Sequence, residues 1–201
     1  MGTSCYLLKR FLWDESLNKE NGFLKNPNTH LFRYCPQCGG KSLAISDKKS
    51  FLCRSCSFKF YLNTAAAGIA LIFNKNDELL VTKRRYDPAK GMLDLPGGFA
   101  DPGETIEACL IREIKEELNL TITSLTYFCS VPNTYIYKNV TYSITDFAFL
   151  CSVDDFDAIK ASDDVSDFYF IELASLDINK FGLDSPKIVI DRLRYNRYQM
   201  L

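Results

Sequence analysis

The sequence predicts an α/β chain of the α+β kind: a small cysteine-stapled module, then a larger domain of mixed strands with two helices. Three observations carry this. Cys35-Pro-Gln-Cys38 and Cys53-Arg-Ser-Cys56 form two tight pairs separated by 14 residues. From Thr64 onward, short apolar, β-branched and aromatic runs alternate with turn signals. Thr105–Leu118 has the periodicity of an amphipathic helix, and Ser185-Pro186 opens a second one.

The chain has 201 residues, a formal net charge of −1, 47 % apolar residues and 24 % charged residues. That suffices for one full core plus a satellite module. It excludes a wholly disordered or fibrous chain. The longest apolar run, Ala65–Phe73, is about half the ~20 residues a membrane helix needs, so no membrane partner is expected. The even charge balance argues against a large basic nucleic-acid surface, although a local patch survives the average. Met1–Trp13 lacks the long apolar stretch of a signal peptide, and Tyr6 stands where a myristoylation motif needs Ser or Thr. The expected location is cytoplasmic.

Residues 1–30 read as a leader, with one or two helical turns at Leu7–Leu17 and a turn at Asn26-Pro27-Asn28. Residues 31–62 hold the cysteine pairs and the aromatics Phe32, Tyr34, Phe51, Phe58, Phe60 and Tyr61. A segment this short needs a staple. The larger domain spans 63–201. Ala66–Phe73 and Glu78–Arg84 read as a hairpin about Asn74–Asp77. Pro96-Gly97-Gly98 marks a place where backbone bends or comes close to something. Asp101-Pro102-Gly103 is a turn, Glu104 or Thr105 caps the helix that follows, and Asn119 ends it. Strands are expected at Ile122–Val131, Ile136–Thr141, Ser143–Cys151 and Phe168–Ile171, and the last helix runs to about Tyr195.

In a reducing compartment, paired cysteines hold metal more often than disulfides. Two turns of Cys-x-x-Cys complete a tetrahedron of thiolates, the set Zn²⁺ accepts, and four protein ligands leave no open position. Cys35, Cys38, Cys53 and Cys56 are therefore expected to hold a structural Zn²⁺, in a segment that resembles a zinc ribbon. Lys41, Lys48, Lys49, Arg54 and Lys59 give it positive charge, read as a solvated basic face ahead of a nucleic-acid site.

On the first helix Glu113, Glu116 and Glu117 are spaced i, i+3 and i+4, within roughly one third of the circumference at ~100° per residue. Ile111, Ile114 and Leu118 are expected to seat the helix on the core. Three acids so placed suit a hard divalent cation such as Mg²⁺ or Mn²⁺; from the helix alone, a solvated acidic face is an equal reading.

The wider spacing is more specific. Gly98, five residues, Glu104, seven residues, then Arg112-Glu113-Ile114-Lys115-Glu116-Glu117-Leu118-Asn119-Leu120 resembles the Nudix box, G-x5-E-x7-R-E-U-x-E-E-x-G-U with U aliphatic. Only Asn119 departs, in place of glycine, and Asn is the next best residue at a left-handed helix end. The resemblance implies an α/β/α sandwich around a mixed sheet and a hydrolase of diphosphates linked to another moiety. It implies that Glu113, Glu116 and Glu117 bind catalytic Mg²⁺ or Mn²⁺, that the Gly97 carbonyl adds a ligand, and that Arg112 orients the acids with Glu104 as partner. The only histidine, His30, lies before the ribbon, so a carboxylate must serve as base. Glu113 and Glu117, or Asp163 and Asp164 on a later loop, are the candidates.

A ribbon leading directly into such a domain is similar to the NADH pyrophosphatase group. Ser130-Val131-Pro132-Asn133-Thr134-Tyr135-Ile136 stands where that group has S-Q-P-W-P-F-P, matching at Ser130, Pro132 and the aromatic Tyr135. The implied substrate is a nucleoside diphosphate derivative of the NADH, NAD or ADP-ribose kind, and a homodimer fits the family. Tyr135 and Tyr137 are candidates to stack on a base, and Arg84 and Arg85 to meet phosphate. The alternatives are a non-catalytic nucleotide-sensing regulator and an RNA 5′-end or cap hydrolase.

Overall fold

The computed structural model describes residues 26–198; the helical turns expected at Leu7–Leu17 lie outside them. The chain divides into two compact units, with the boundary between Tyr61 and Leu62.

The first unit holds an antiparallel sheet of β1 (Leu43–Asp47), β2 (Ser50–Cys53) and β3 (Lys59–Tyr61). Its small core is aromatic. Phe51 is fully buried and meets Phe32 edge-on at 5.2 Å, and Phe60 lies 5.6 Å from Phe32. The Asn26 side chain ties the entering turn, accepting from Asn28 N–H and donating to the Asp47 carbonyl.

The second unit contains β4 (Ala65–Ile72), β5 (Glu78–Arg84), β6 (Leu93–Asp94), α1 (Ile106–Leu118), β7 (Ile122–Tyr137), β8 (Val140–Val153), β9 (Val165–Glu172) and α2 (Asp184–Tyr198). One mixed sheet has the order β4-β8-β7, and an antiparallel one has β6-β5-β9. β4 and β5 are apolar on both faces because both are covered. Ile69, Leu71, Leu79 and Val81 pack with Val189, Ile190 and Leu193 of α2. Ala70, Ile72 and Leu80 pack with Leu110, Ile114 and Leu118 of α1. This is the α/β/α sandwich that the spacing around Gly98 implied. No helix among the described residues is long and apolar enough to cross a membrane.

Three expectations change. β4 and β5 are joined by a tight turn but do not form a hairpin: apart from a bridge between Phe73 and Leu79, β4 pairs in parallel with β8 and β5 pairs with β9. Tertiary pairing overrides the local signal. The segment Ile136–Thr141 is a hairpin tip, because Lys138 and Asn139 both adopt positive φ, 45° and 67°, as a two-residue turn between twisted strands requires. Ile111 is 48 % exposed, and Leu110 takes the core position in its place. The seam therefore runs Leu110, Ile114 and Leu118, a spacing of four and four.

Helix α1 is held at both ends. Thr105, not Glu104, is the N-cap, its hydroxyl accepting from Ala108 N–H. Asn119 closes the helix in the left-handed region at φ 55°, its N–H reaching the Lys115 carbonyl. Its side chain donates to the Ala158 carbonyl at 3.0 Å. Ser162 and Lys160 N–H groups cover the carbonyls of Glu117 and Leu118, so the loop after β8 also caps the helix. Replacing Asn119→Ala forces a Cβ residue without local hydrogen bonding into this conformation and frees Ala158. Urea unfolding should show a loss of about 1–3 kcal/mol with an unchanged m-value.

Candidate active site

In the first unit, the sulfurs of Cys35, Cys38, Cys53 and Cys56 all lie within 4.8 Å of one another. Cys35 Sγ is 3.7 Å from Cys56 Sγ, and Cys38 Sγ is 3.7 Å from Cys53 Sγ. Four thiolates on a tetrahedron with ~2.3 Å metal–sulfur bonds stand about 3.8 Å apart, whereas a disulfide needs about 2.05 Å. The spacing is that of ligands, and this group can hold a metal ion. Both pairs are built alike. Cys35 N–H donates to the Gly40 carbonyl and Gly39 N–H to the Cys35 carbonyl; Cys53 N–H donates to Phe58 and Ser57 N–H to Cys53. Gly39 and Ser57 occupy the same step at φ 70° and 62°. The Ser42 hydroxyl, 3.1 Å from Cys53 Sγ, pulls that thiol down to about 6, toward the thiolate a metal needs.

In the second unit, the segment Pro96–Ala100 runs antiparallel along β4. Ala70 and Gly68 N–H donate to the Pro96 and Gly98 carbonyls, and Ala100 N–H donates to Ala66. Two glycines permit this. At Gly97, φ is 141°, and a Cβ would sit 2.1 Å from the Gly68 carbonyl oxygen. At Gly98 a Cβ would sit 2.4 Å from the Glu113 carboxyl. The segment thus brings bare backbone onto the acidic side of α1, where Gly97 N–H donates to Glu117 Oε2 at 3.1 Å.

Arg112 gathers the acids. Its Nε and Nη2 form a two-pronged pair with Glu104 at 3.0 and 2.9 Å. Nη1 reaches Glu113 at 2.9 Å and Glu116 at 3.1 Å, and Nη2 also donates to the Phe99 carbonyl. One guanidinium so joins three carboxylates and the glycine segment. Hydrogen bonding to Arg112 holds Glu104 below the usual carboxylate range. Burial pushes Glu113 up in spite of Arg112. Glu117 is 6 % exposed and is pushed well up, first by burial and then by the charges of Glu113, Asp94 and Asp164, against the single Gly97 N–H.

Glu117 opens onto a cleft. Gly97, Gly98, Arg84, Tyr135 and Asp164 also line it. Tyr135 meets Phe99 edge-on at 5.7 Å, forming an aromatic wall. Arg84 is engaged already, paired with Asp94 and donating to the Pro88 carbonyl at 2.7 Å. Of the box acids only Glu117 is in this lining: Glu104, Arg112, Glu113 and Glu116 form the clamp against Gly98 and Phe99 without lining the cleft, and Arg85, Tyr137 and Asp163 do not line it either. Arg85 turns away and donates to the Val165 carbonyl, while its N–H holds the Asp164 carbonyl, so it braces that loop. Tyr137 lies at the hairpin tip, half exposed beneath Lys138. Asp163, left-handed at φ 48°, contributes charge near Glu113 without reaching the cleft wall.

Sequence reasoning missed Asp94, Asp146, Asn133 and Phe99, which all line the cleft. Asp94 and Asp146 are buried, and Asn133 donates to Asp146 at 2.8 Å. A single acid inside an apolar strand, as in Leu93-Asp94-Leu95, was the available signal.

A family model described as the NUDIX domain matches residues 62–191. The ADP-ribose pyrophosphatase of Methanocaldococcus jannaschii is 34 % identical over 140 residues, covering 69 % of this chain and 78 % of that protein. The NAD-capped RNA hydrolase NudC of Vibrio atlanticus is 31 % identical over 120 residues, covering 60 % of this chain and 44 % of that protein. The match thus spans less than half of the latter's length. A crystal structure of a NUDIX hydrolase from Nitrosomonas europaea shares the fold, with a TM-score of 0.64 over 84 % of this chain and 93 % of that one, at 21 % identity.

The raised Glu117 gives a signed pH dependence. Below the ordinary glutamate value of 4.5 it is protonated in folded and unfolded chains alike. As pH rises past that, the unfolded chain ionises first, so stability is lost until the folded-state value is passed. Without added divalent cation, Glu117→Gln should therefore gain thermal stability over the parent as pH rises from 4.5, and no gap should open below it. Added Mn²⁺ should raise the parent's Tm more than the variant's. A pH-independent difference would contradict this.

Proposed function

The chain belongs to the Nudix family, and from that premise we propose that it is a metal-dependent pyrophosphohydrolase. Its substrate is a nucleoside diphosphate derivative of the NAD(H) or ADP-ribose kind. The observation that carries this reading is the Arg112 clamp, which gathers Glu104, Glu113 and Glu116 on the helix whose Glu117 lines an aromatic-walled cleft. Glu117, buried with no cationic side chain, costs stability when ionised, and a hard divalent cation would remove the cost. The donor set is all oxygen, which fits Mg²⁺ or Mn²⁺.

In this reading Glu113, Glu116 and Glu117 hold the cations, with the Gly97 carbonyl as a further ligand. Mg²⁺ or Mn²⁺ held by these residues would supply charge neutralisation of the diphosphate and a lowered pKa for an attacking water. The chain's own contribution is placement. Arg112 fixes the rotamers of Glu113 and Glu116 before substrate arrives, and Glu104 fixes Arg112. Gly97 and Gly98 let the backbone pack directly against Gly68 and the Glu113 carboxyl, where no side chain fits. Phe99 and Tyr135 offer ring faces and edges to a base or nicotinamide. No histidine lines the cleft among the described residues, so the water's proton passes to a carboxylate. The candidates in this reading are Glu113, Glu117, Asp163 and Asp164, of which Glu117 and Asp164 line the cleft. Asp94 and Asp146 have no phosphate-binding role here. Arg84, already paired with Asp94, serves the cleft's shape more than substrate charge.

The cysteine group is read as a structural Zn²⁺ site in a ribbon of residues 31–62, ahead of a hydrolase domain of 63–201. A reducing, cytoplasmic setting goes with this reading, since the paired cysteines stand at 3.7 Å, the spacing of metal ligands and not of disulfides.

A hydrolysis screen tests the main reading. NADH, NAD⁺, ADP-ribose and dinucleoside polyphosphates are supplied with Mg²⁺ or Mn²⁺, beside Glu116→Gln and Arg112→Lys. Cleavage at the diphosphate should require the cation and fall by at least ~10²-fold in Glu116→Gln. Arg112→Lys cannot span three carboxylates and should lose kcat with little change in KM. Tight nucleotide binding without turnover on any of these would replace the hydrolase by the sensor.

A further inference from the structure

The whole-chain charge of −1 conceals a segregation. Residues 26–61 carry Arg33, Lys41, Lys48, Lys49, Arg54 and Lys59 against one acid, Asp47. All six basic residues are exposed. Only Lys59 has a carboxylate partner among the described residues, Asp47 at 3.4 Å. The second unit carries a net excess of acid, so the ribbon's net basic charge is hidden in the whole-chain balance.

Aromatic surface accompanies it. The register sets Leu52 opposite Lys59 and Ser50 opposite Tyr61, and sets Phe51 opposite Phe60. Alternate residues share a face, so Phe51 and Phe60 point to the core while Leu52, Lys59 and Tyr61 point out. Leu52 is 40 % and Tyr61 47 % exposed, and Lys59 Nζ lies 5.2 Å from the Tyr61 ring centre. At the first cysteine turn Tyr34 is 62 % exposed, with Lys41 Nζ 6.0 Å from its ring centre. Two exposed rings, each beside a lysine, have no structural use that burial would reveal. They do match a polymer with a charged backbone and flat, unpaired bases.

We propose that the first unit binds single-stranded nucleic acid, its phosphates on Arg33, Lys41, Lys48, Lys49 and Arg54 and its bases on Tyr34 and Tyr61. Whole-chain neutrality, which argued against such a surface, averages over an acidic neighbour. The proposal concerns the ribbon's own surface and holds whichever diphosphate the second unit cleaves.

The test is fluorescence anisotropy of the full chain with an end-labelled single-stranded oligouridylate. Five phosphate contacts predict a slope of log K against log salt near −3.5, a loss of about 100-fold between ~50 and ~200 mM salt. Lys48→Gln with Lys49→Gln, in the exposed β1–β2 turn, should reduce that slope by about 1.4. Tyr61→Ala should weaken binding by about 5- to 100-fold at constant slope. Neither should change hydrolysis of a small diphosphate substrate, which separates failure here from failure of the hydrolase reading. No binding at ~50 mM salt, a salt-independent affinity, or a slope unmoved by the lysine pair would overturn the proposal. So would heparin or duplex bound as tightly as the single strand with Tyr61→Ala without effect, which would reduce the surface to a general polyanion contact.

Discussion

One guanidinium holds this site together. Glu113, Glu116 and Glu117 repel one another on adjacent turns of α1, and the helix tolerates them because Arg112 spans Glu104, Glu113 and Glu116 from the same face. The spacing of the motif follows from that reach. Glu104 precedes the cap at Thr105, so its side chain stands at the helix entrance, two turns before Arg112. The Phe99 carbonyl completes the clamp and fixes the glycine segment against the helix. Moving either glutamate or Arg112 by one residue would turn the group about 100° around the axis and break the clamp.

What Arg112 does not reach is equally telling. Glu117 is the one buried glutamate of α1 and has one backbone N–H for company. Burial without a countercharge is an unstable arrangement for a carboxylate, and it is placed at the cleft, where a cation can enter. The α1 core seam of Leu110, Ile114 and Leu118 is centred about 100° round the helix from the acids, with Glu117 at its edge, and each of its side chains is worth roughly 1.5–3 kcal/mol of burial. That packing offsets the strain of the acidic face, so the helix is held by one stripe and works with the other.

Much of this was legible in the chain. Gly98, Glu104, Arg112 and the three glutamates lie on one continuous stretch, and their relations are those of turn and helix geometry. Asn119 was legible too, because αL tolerance is a property of the residue. Harder to read was whatever depends on strands distant in sequence. Arg85 and Tyr137 looked as available as Arg84 and Tyr135, but Arg85 follows the end of β5 and braces the loop before β9, and Tyr137, on the same strand face as Tyr135, lies at the β7–β8 tip beyond the reach of the cleft. The hairpin expected of β4 and β5 failed for the same reason, since a tight turn does not say which partner a strand will take. Asp94 and Asp146 were hidden in apolar strands, and their meaning comes from the cleft that the sheets enclose.

The arm formed by β7 and β8 has a property of its own. β4 supports β8 only from Ile144 to Cys151, so beyond Ser143 the two strands continue as a free ribbon. Tyr135, near its root, faces Phe99 at the cleft. Because strand faces alternate with a period of two, the ribbon can lengthen or shorten in pairs of residues and leave Tyr135 facing the same way. A single-residue change would turn every side chain beyond it to the opposite face. The rim of the cleft can therefore vary in height by steps while the acids beneath it stay fixed, and a family built on this frame can change the bulk of what it admits without altering the machinery that cuts it.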